Sequence, residues 1–128
     1  MPAARDARER AAHRQQTGRA GEDSAAAALE AAGFTILLRN YRCRAGELDL
    51  VARRGTLLVI AEVRCRARED YGGAAASVTY RKQRRIVRAS RHLLTRHRAL
   101  ALLPVRFDVL VPRAGGAVEW IEAAFEVR

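Results

Sequence analysis

A chain of 128 residues, 49% of them hydrophobic, is long enough for one folded domain and too apolar to stay disordered. Its 24 Lys and Arg against 14 Asp and Glu leave a net charge of +10, which points to a polyanionic partner such as nucleic acid. No apolar run approaches the ~20 residues that a membrane helix needs, so a membrane partner is not expected.

The first residues, Met1 to Arg14, are basic and polar, with no apolar stretch of the kind a secretory leader carries. They are expected to form a flexible tail, followed by a single α/β domain over 15–128, and the protein is expected to be cytoplasmic. Thr17 to Ala32 is alanine-rich and proline-free and reads as a helix, stopped by Gly33. Phe34 to Cys43 and Glu47 to Ala52 read as strands. Arg53-Arg54-Gly55 reads as a tight turn into a third strand, Thr56 to Arg66, whose apolar centre Leu57 to Ala61 suits burial on both faces. Cys43 and Cys65 have neither CxxC spacing nor a histidine at ligand distance, so reduced thiols are expected rather than a zinc site.

Ala67 to Ala76 reads as a loop flexing at Gly72-Gly73. Ser77 is expected to cap a long helix from Val78 to about His97. Pro104 opens a fourth strand, Val105 to Val111; Arg113 to Gly116 turns the chain into a last strand, Ala117 to Phe125. The long helix between the third and fourth strands permits a parallel crossover. The expected fold is therefore a mixed sheet flanked by helices.

Side chains alternate faces along a strand. Glu47, Asp49 and Val51 then share one face of the second strand, with Leu48, Leu50 and Ala52 on the other; Glu62, Arg64 and Arg66 share one face of the third. A hairpin between them brings Asp49 close to Glu62. Two carboxylates on adjacent strands suit Mg²⁺ or Mn²⁺, which take oxygen ligands and leave positions for water and phosphate. The plainer alternative is a polar edge neutralised by arginines.

Two helical charges aim at the same place. Successive helix residues lie about 100° apart. Glu22 then falls among Gly18, Ala25, Ala26 and Leu29, and Lys82, the sole lysine of the chain, lies on a stripe with Val78, Ile86, Ala89 and Leu93. For Lys82 the alternative is snorkelling to solvent. From Arg81 to Arg98 there are eight Lys or Arg residues and no acid. Arg81, Arg84, Arg85 and Arg88, with Arg42 and Arg44 from the first strand and its turn, are the expected contacts to a nucleic-acid backbone, solvation being their bland alternative. Tyr71 is the expected stacking residue, and His13, His92 and His97 are expected at the surface.

In order along the chain, Glu22, Arg39-Asn40-Tyr41-Arg42, Gly46-Glu47-Leu48-Asp49-Leu50-Val51, Ala61-Glu62-Val63-Arg64, Val78 to Ile86 and Arg106-Phe107-Asp108-Val109 resemble the YraN-like bacterial endonuclease family. That family is grouped with the restriction-endonuclease-like superfamily, whose signature is PD-(D/E)xK, and is similar to archaeal Holliday junction resolvases. The resemblance implies a Mg²⁺-dependent phosphodiesterase acting on DNA in preference to RNA, with branched or junction DNA as a candidate substrate and a homodimer as a candidate assembly. Asp49 and Glu62 match the motif acids, and Glu22 matches an additional helical acid. Arg64 stands where the motif has lysine. Either Arg64 acts electrostatically, or Lys82 supplies the ammonium, or turnover is lost and a non-catalytic nucleic-acid-binding protein remains. A ribosome-associated basic protein is a third reading.

Overall fold

The computed structural model describes residues 19–64 and 78–127. The expected tail, the loop 67–76, Cys65, Arg66, Tyr71 and Ser77 lie outside those residues. The first helix, α1, covers 19–31. It ends where the sequence predicts: Gly33 sits at φ 91°, which only glycine adopts without strain. The Gly33 and Phe34 N–H groups donate to the carbonyls of Glu30 and Leu29 at 2.9 and 3.0 Å, closing a Schellman cap. Arg54 adds a hydrogen bond to the Ala32 carbonyl at 2.9 Å while its guanidinium lies 4.5 Å from the centre of the Phe34 ring.

The strands β1 (Thr35–Cys43), β2 (Gly46–Arg54), β3 (Leu57–Val63), β4 (Val105–Pro112) and β5 (Val118–Phe125) form one five-stranded sheet in that order. All neighbours are antiparallel except β3 and β4, which run parallel. Helix α2 (Tyr80–Arg96) lies in the connection between these two. The expected mixed α/β architecture is thus the observed one.

Some boundaries differ. The β2–β3 loop is Gly55-Thr56 rather than Arg53-Arg54-Gly55, because Arg54 still pairs with Leu57 and Gly55 takes the left-handed φ of 59°. β3 stops at Val63, short of the expected Arg66. The cap of α2 is Thr79, not Ser77: its extended backbone lets the hydroxyl accept from the Lys82 N–H at 3.3 Å. Val78 is buried immediately before it, which fixes where the chain turns into the helix.

The two faces of the sheet carry separate cores. On one, Ala25, Ala26 and Leu29 of α1 pack with Leu50, Ala52, Val59, Ala61 and Leu110. On the other, Val78, Ile86, Ala89 and Leu93 pack with Val51, Leu58, Ile60, Phe107 and Val109. Strand alternation accounts for these sets, with Leu48 as an exception that joins the α2 side. The apolar stripe read from the sequence is therefore the buried face of α2.

Candidate functional site

The site forms where β3 parts from β2. Their ladder ends with the pair Leu50–Ala61. One step further, Asp49 stands opposite Glu62, and no backbone pairing joins them. Instead the Asp49 Oδ2 accepts the Val63 N–H at 2.9 Å, so a side chain replaces the strand carbonyl. β3 keeps its other neighbour: its pairing with β4 runs on to Val63–Leu110, and the Arg64 N–H donates to the Leu110 carbonyl at 2.9 Å. The parting opens a cavity of about 350 Å³. Glu47, Asp49 and Glu62 line it from the strands, Arg64 from just past the end of β3, and Lys82 and Arg85 from α2.

Burial dominates the electrostatics here. Glu62 is only 6% exposed. Loss of solvation and the neighbouring Asp49 charge push its carboxyl up to about 8, against the lowering effect of Arg64 and Lys82. Burial also raises Asp49, but the Val63 N–H and a hydrogen bond with Glu62 favour its ionised form. Burial thus favours keeping a proton on the pair, and the two carboxyls titrate together. Among the described residues, the buried Glu62 Oε2 has no hydrogen-bond partner, and neither do the buried Arg64 Nε and Nη2. Such orphaned groups are costly unless something occupies the space between them.

Glu22 approaches from the other side. Because α1 covers the opposite face from α2, Glu22 does not line the cavity with Lys82. It lies near enough that the Asp49 and Glu47 charges, after burial, raise its pKa, opposed by Arg39 and a hydrogen bond from Asn40. Asn40 has a left-handed φ of 54°, which breaks the regular course of β1 beside it. One oxygen, Glu22 Oε1, is buried with no partner among the described residues. Arg39 is occupied by Asp23 at 2.6 Å.

The oxygen-only donor set fits a hard divalent cation. Mg²⁺ commonly takes one or two carboxylates and fills its remaining positions with water and phosphate, which Asp49 and Glu62 match. Among the described residues no group of three or more His, Cys, Asp or Glu is drawn together as a metal cage.

Of the expected backbone contacts, Arg81, Arg84, Arg85 and Arg88 are exposed on α2. Arg85 reaches the acidic cavity itself. Arg44 is exposed in the β1–β2 turn, and Arg42 pairs with Glu47 at 3.5 Å. The expected surface position of His92 is corrected: it is half-buried, with Nδ1 hydrogen-bonded to the Tyr41 hydroxyl. His97 is exposed, as expected. Glu47 as a cavity wall was within reach of sequence reasoning, since alternation puts it on the Asp49 face. The role of Asp108 was not. Fully buried, it accepts from Arg106 through both carboxylate oxygens at 2.9 Å, from the Trp120 indole at 2.8 Å and from the Ala123 N–H at 3.0 Å.

Residues 21–111 match the model of the uncharacterised protein family UPF0102. A UPF0102 protein of Bordetella petrii is 50% identical over 120 residues, covering 91% of this chain and 74% of that protein. One of Xanthomonas campestris is 48% identical over 119 residues, covering 91% and 96%. One of Legionella pneumophila is 36% identical over 113 residues, covering 88% and 96%. Among the described residues no helix is long and apolar enough to cross a membrane.

Proposed function

The chain belongs to the UPF0102 family, the YraN-like family its motifs resemble, and from the cavity between β2, β3 and α2 we propose a metal-dependent endonuclease acting on DNA in the cytoplasm. One observation supports the reading: two strand carboxylates, the buried Glu62 and the half-buried Asp49, line one cavity with Arg64, Lys82 and Arg85, and among the described residues the buried Glu62 Oε2 has no hydrogen-bond partner. A merely structural ion pair would satisfy that oxygen. Asp49 and Glu62 would hold Mg²⁺ or Mn²⁺. When bound, such an ion polarises a phosphate oxygen and lowers the pKa of an attacking water.

The chain's own groups then divide the remaining work. Val63 fixes Asp49 by its N–H, so one carboxylate is held before any ligand arrives. Glu62 must release its proton to become a ligand, which makes loading of the site proton-linked. Lys82 and Arg64 set positive charge beside the phosphate. Arg64 cannot serve as a general base, because a guanidinium stays protonated up to about pH 12. Arg81, Arg84 and Arg88 hold the backbone on either side.

The test is Mg²⁺- or Mn²⁺-dependent cleavage of plain, flapped and branched DNA. Asp49→Asn is expected to lower the rate by at least about a hundredfold, more than the loss usual for a group one shell further out. Cutting by Asp49→Asn at the parental rate would remove that residue from the chemistry.

The guanidinium of Arg64 supports one alternative, a protein that binds nucleic acid at this cavity without turnover. It predicts salt-sensitive binding with no cleavage in either metal, and a gain of cutting in Arg64→Lys. For the nuclease, two copies cutting symmetrically on branched DNA is the assembly to test, by mass measurement with and without substrate.

A further inference from the structure

Among the described residues, the acidic cavity adjoins two further depressions along α2. The next, about 310 Å³, is walled by Arg81, Arg84, Arg85, Arg88 and Tyr80. Arg85 is common to it and to the acidic cavity. The third, about 170 Å³, shares Tyr80, Arg84 and Arg88 and adds Gln83, Val87, Arg91 and Glu126. At about 100° per residue, Lys82, Arg85, Arg81, Arg88, Arg84 and Tyr80 follow one another in one rotational sense around the helix. They cover about 200° of it, roughly 17 Å of arc on a cylinder about 10 Å across. A strand that starts at the acids is thus carried over guanidinium groups to an aromatic ring.

The third depression differs in chemistry from the second. Tyr80 is 59% exposed, a large ring left open to solvent at the first position of α2. The Arg84 guanidinium lies 6.0 Å from its centre and fixes one side of it. Val87 gives an apolar floor. Gln83 spends its amide N–H on the Val78 carbonyl at 3.0 Å, which leaves its side-chain oxygen as an acceptor. The Glu126 carboxylate is a second acceptor, while Arg84, Arg88 and Arg91 are donors. A carboxylate on the wall disfavours a phosphate there. Donors and acceptors around a flat apolar wall suit the edge and face of a single nucleobase instead.

We propose that this depression receives one unpaired nucleobase stacked on Tyr80, so that the preferred substrate carries unpaired nucleotides next to the scissile phosphate. The inference rests on the nuclease reading of the acidic cavity and names the substrate class of that site. Bases inside a continuous duplex have their faces covered and cannot stack on Tyr80, whereas single strands and flaps can. The phosphates of the same strand run along Arg84, Arg88 and Arg85 toward Asp49 and Glu62.

The test is binding in EDTA, followed by fluorescence anisotropy, so that no metal is required and no cutting occurs. The probes are an end-labelled single strand, the same length of blunt duplex, and that duplex with a single-stranded flap. The parent is expected to bind strand and flap more tightly than the blunt duplex. Tyr80→Ala is expected to weaken strand and flap by about tenfold, the effect of losing one stacked base, and to leave the duplex unchanged. Tyr80→Phe keeps the ring and is expected to bind as the parent does, which also separates stacking from folding. Arg84→Ala with Arg88→Ala should weaken all three probes. Equal binding of duplex and strand by the parent, or a Tyr80→Ala loss that is absent or equal on all three probes, overturns the inference. Metal-dependent cutting that persists in that event leaves the nuclease reading standing; a parent that binds no probe at low salt overturns both.

Discussion

Glu62 is the residue on which the chemistry and the stability of the fold meet. Its carboxyl is raised from 4.5 to about 8 because burial and the Asp49 charge disfavour ionisation. Between those values the folded protein keeps a proton that the unfolded chain gives up. Stability then falls as pH rises, since the native state binds more protons in that window. The ion-free protein is therefore expected to melt at a lower temperature at pH 8 than near pH 5. Glu62→Gln, which carries no charge to bury, should melt higher than the parent at the upper pH, by about 5 °C or more, and match it at the lower. Adding Mg²⁺ should raise the parent at pH 8 and leave Glu62→Gln nearly unmoved. Thermal unfolding across this range checks all three; a parent with no pH dependence between the two values would show Glu62 to be ionised throughout. This much was legible in the sequence because alternation alone sets Asp49 against Glu62 once a hairpin joins their strands. The partnering of His92 with Tyr41 was not: it spans 51 positions and depends on how α2 lies across β1.

At the scale of elements, the Asp108 carboxylate decides how β5 joins the sheet. The β4–β5 ladder shifts register between Phe107 and Val109, and Ala123 takes a left-handed φ of 49°. An irregularity of this kind would leave the Ala123 N–H unpaired, and the Asp108 Oδ1 takes it. The Trp120 indole, held by Oδ2, tilts against Phe34 with ring centres 5.8 Å apart, so the same carboxylate also orders the contact between β5 and the end of α1. Asp108→Ala is expected to cost about 3–5 kcal/mol, the usual loss on breaking a buried charge pair from one side. Asp108→Asn keeps an acceptor oxygen and should lose less. Urea unfolding, read as a fall in midpoint at constant slope, gives the comparison. Nothing in Arg106-Phe107-Asp108-Val109 announces this network, because two of its donors come from a strand whose register depends on the shift itself. The cap of α2 was missed for a simpler reason. Ser77 and Thr79 both offer a hydroxyl, and burial of Val78 between them selects the second.

The whole molecule is an asymmetric charge distribution on a mixed sheet. Acids lie in the opening between β2 and β3, and the basic surface of α2 stands over them. If Arg81, Arg84, Arg85 and Arg88 each neutralise a phosphate, the affinity for duplex DNA falls with salt with a slope of about −0.9 per contact in a double-logarithmic plot. Replacing these four by alanine is expected to flatten that slope by about 3 to 4 and to weaken binding at every sequence alike. Titrations at several salt concentrations measure it. An unaltered slope would place the polyanion on another face.

The single parallel pairing has a temporal consequence. β1, β2 and β3 are joined by short turns and can zip from local contacts, whereas β4 must return across everything between residues 64 and 104 before it meets β3. Both acids sit on the part that the ribosome releases first; Lys82 and the arginines of α2 follow only later. A nascent chain cut at residue 64 thus holds both acids and Arg64 but neither Lys82 nor the arginines of α2, and the cavity is completed only when the later part of the chain docks. Pulse-labelled hydrogen exchange during refolding should find amides of the β2–β3 hairpin protected before those of β4, and simultaneous protection would mean that the sheet closes as a single unit.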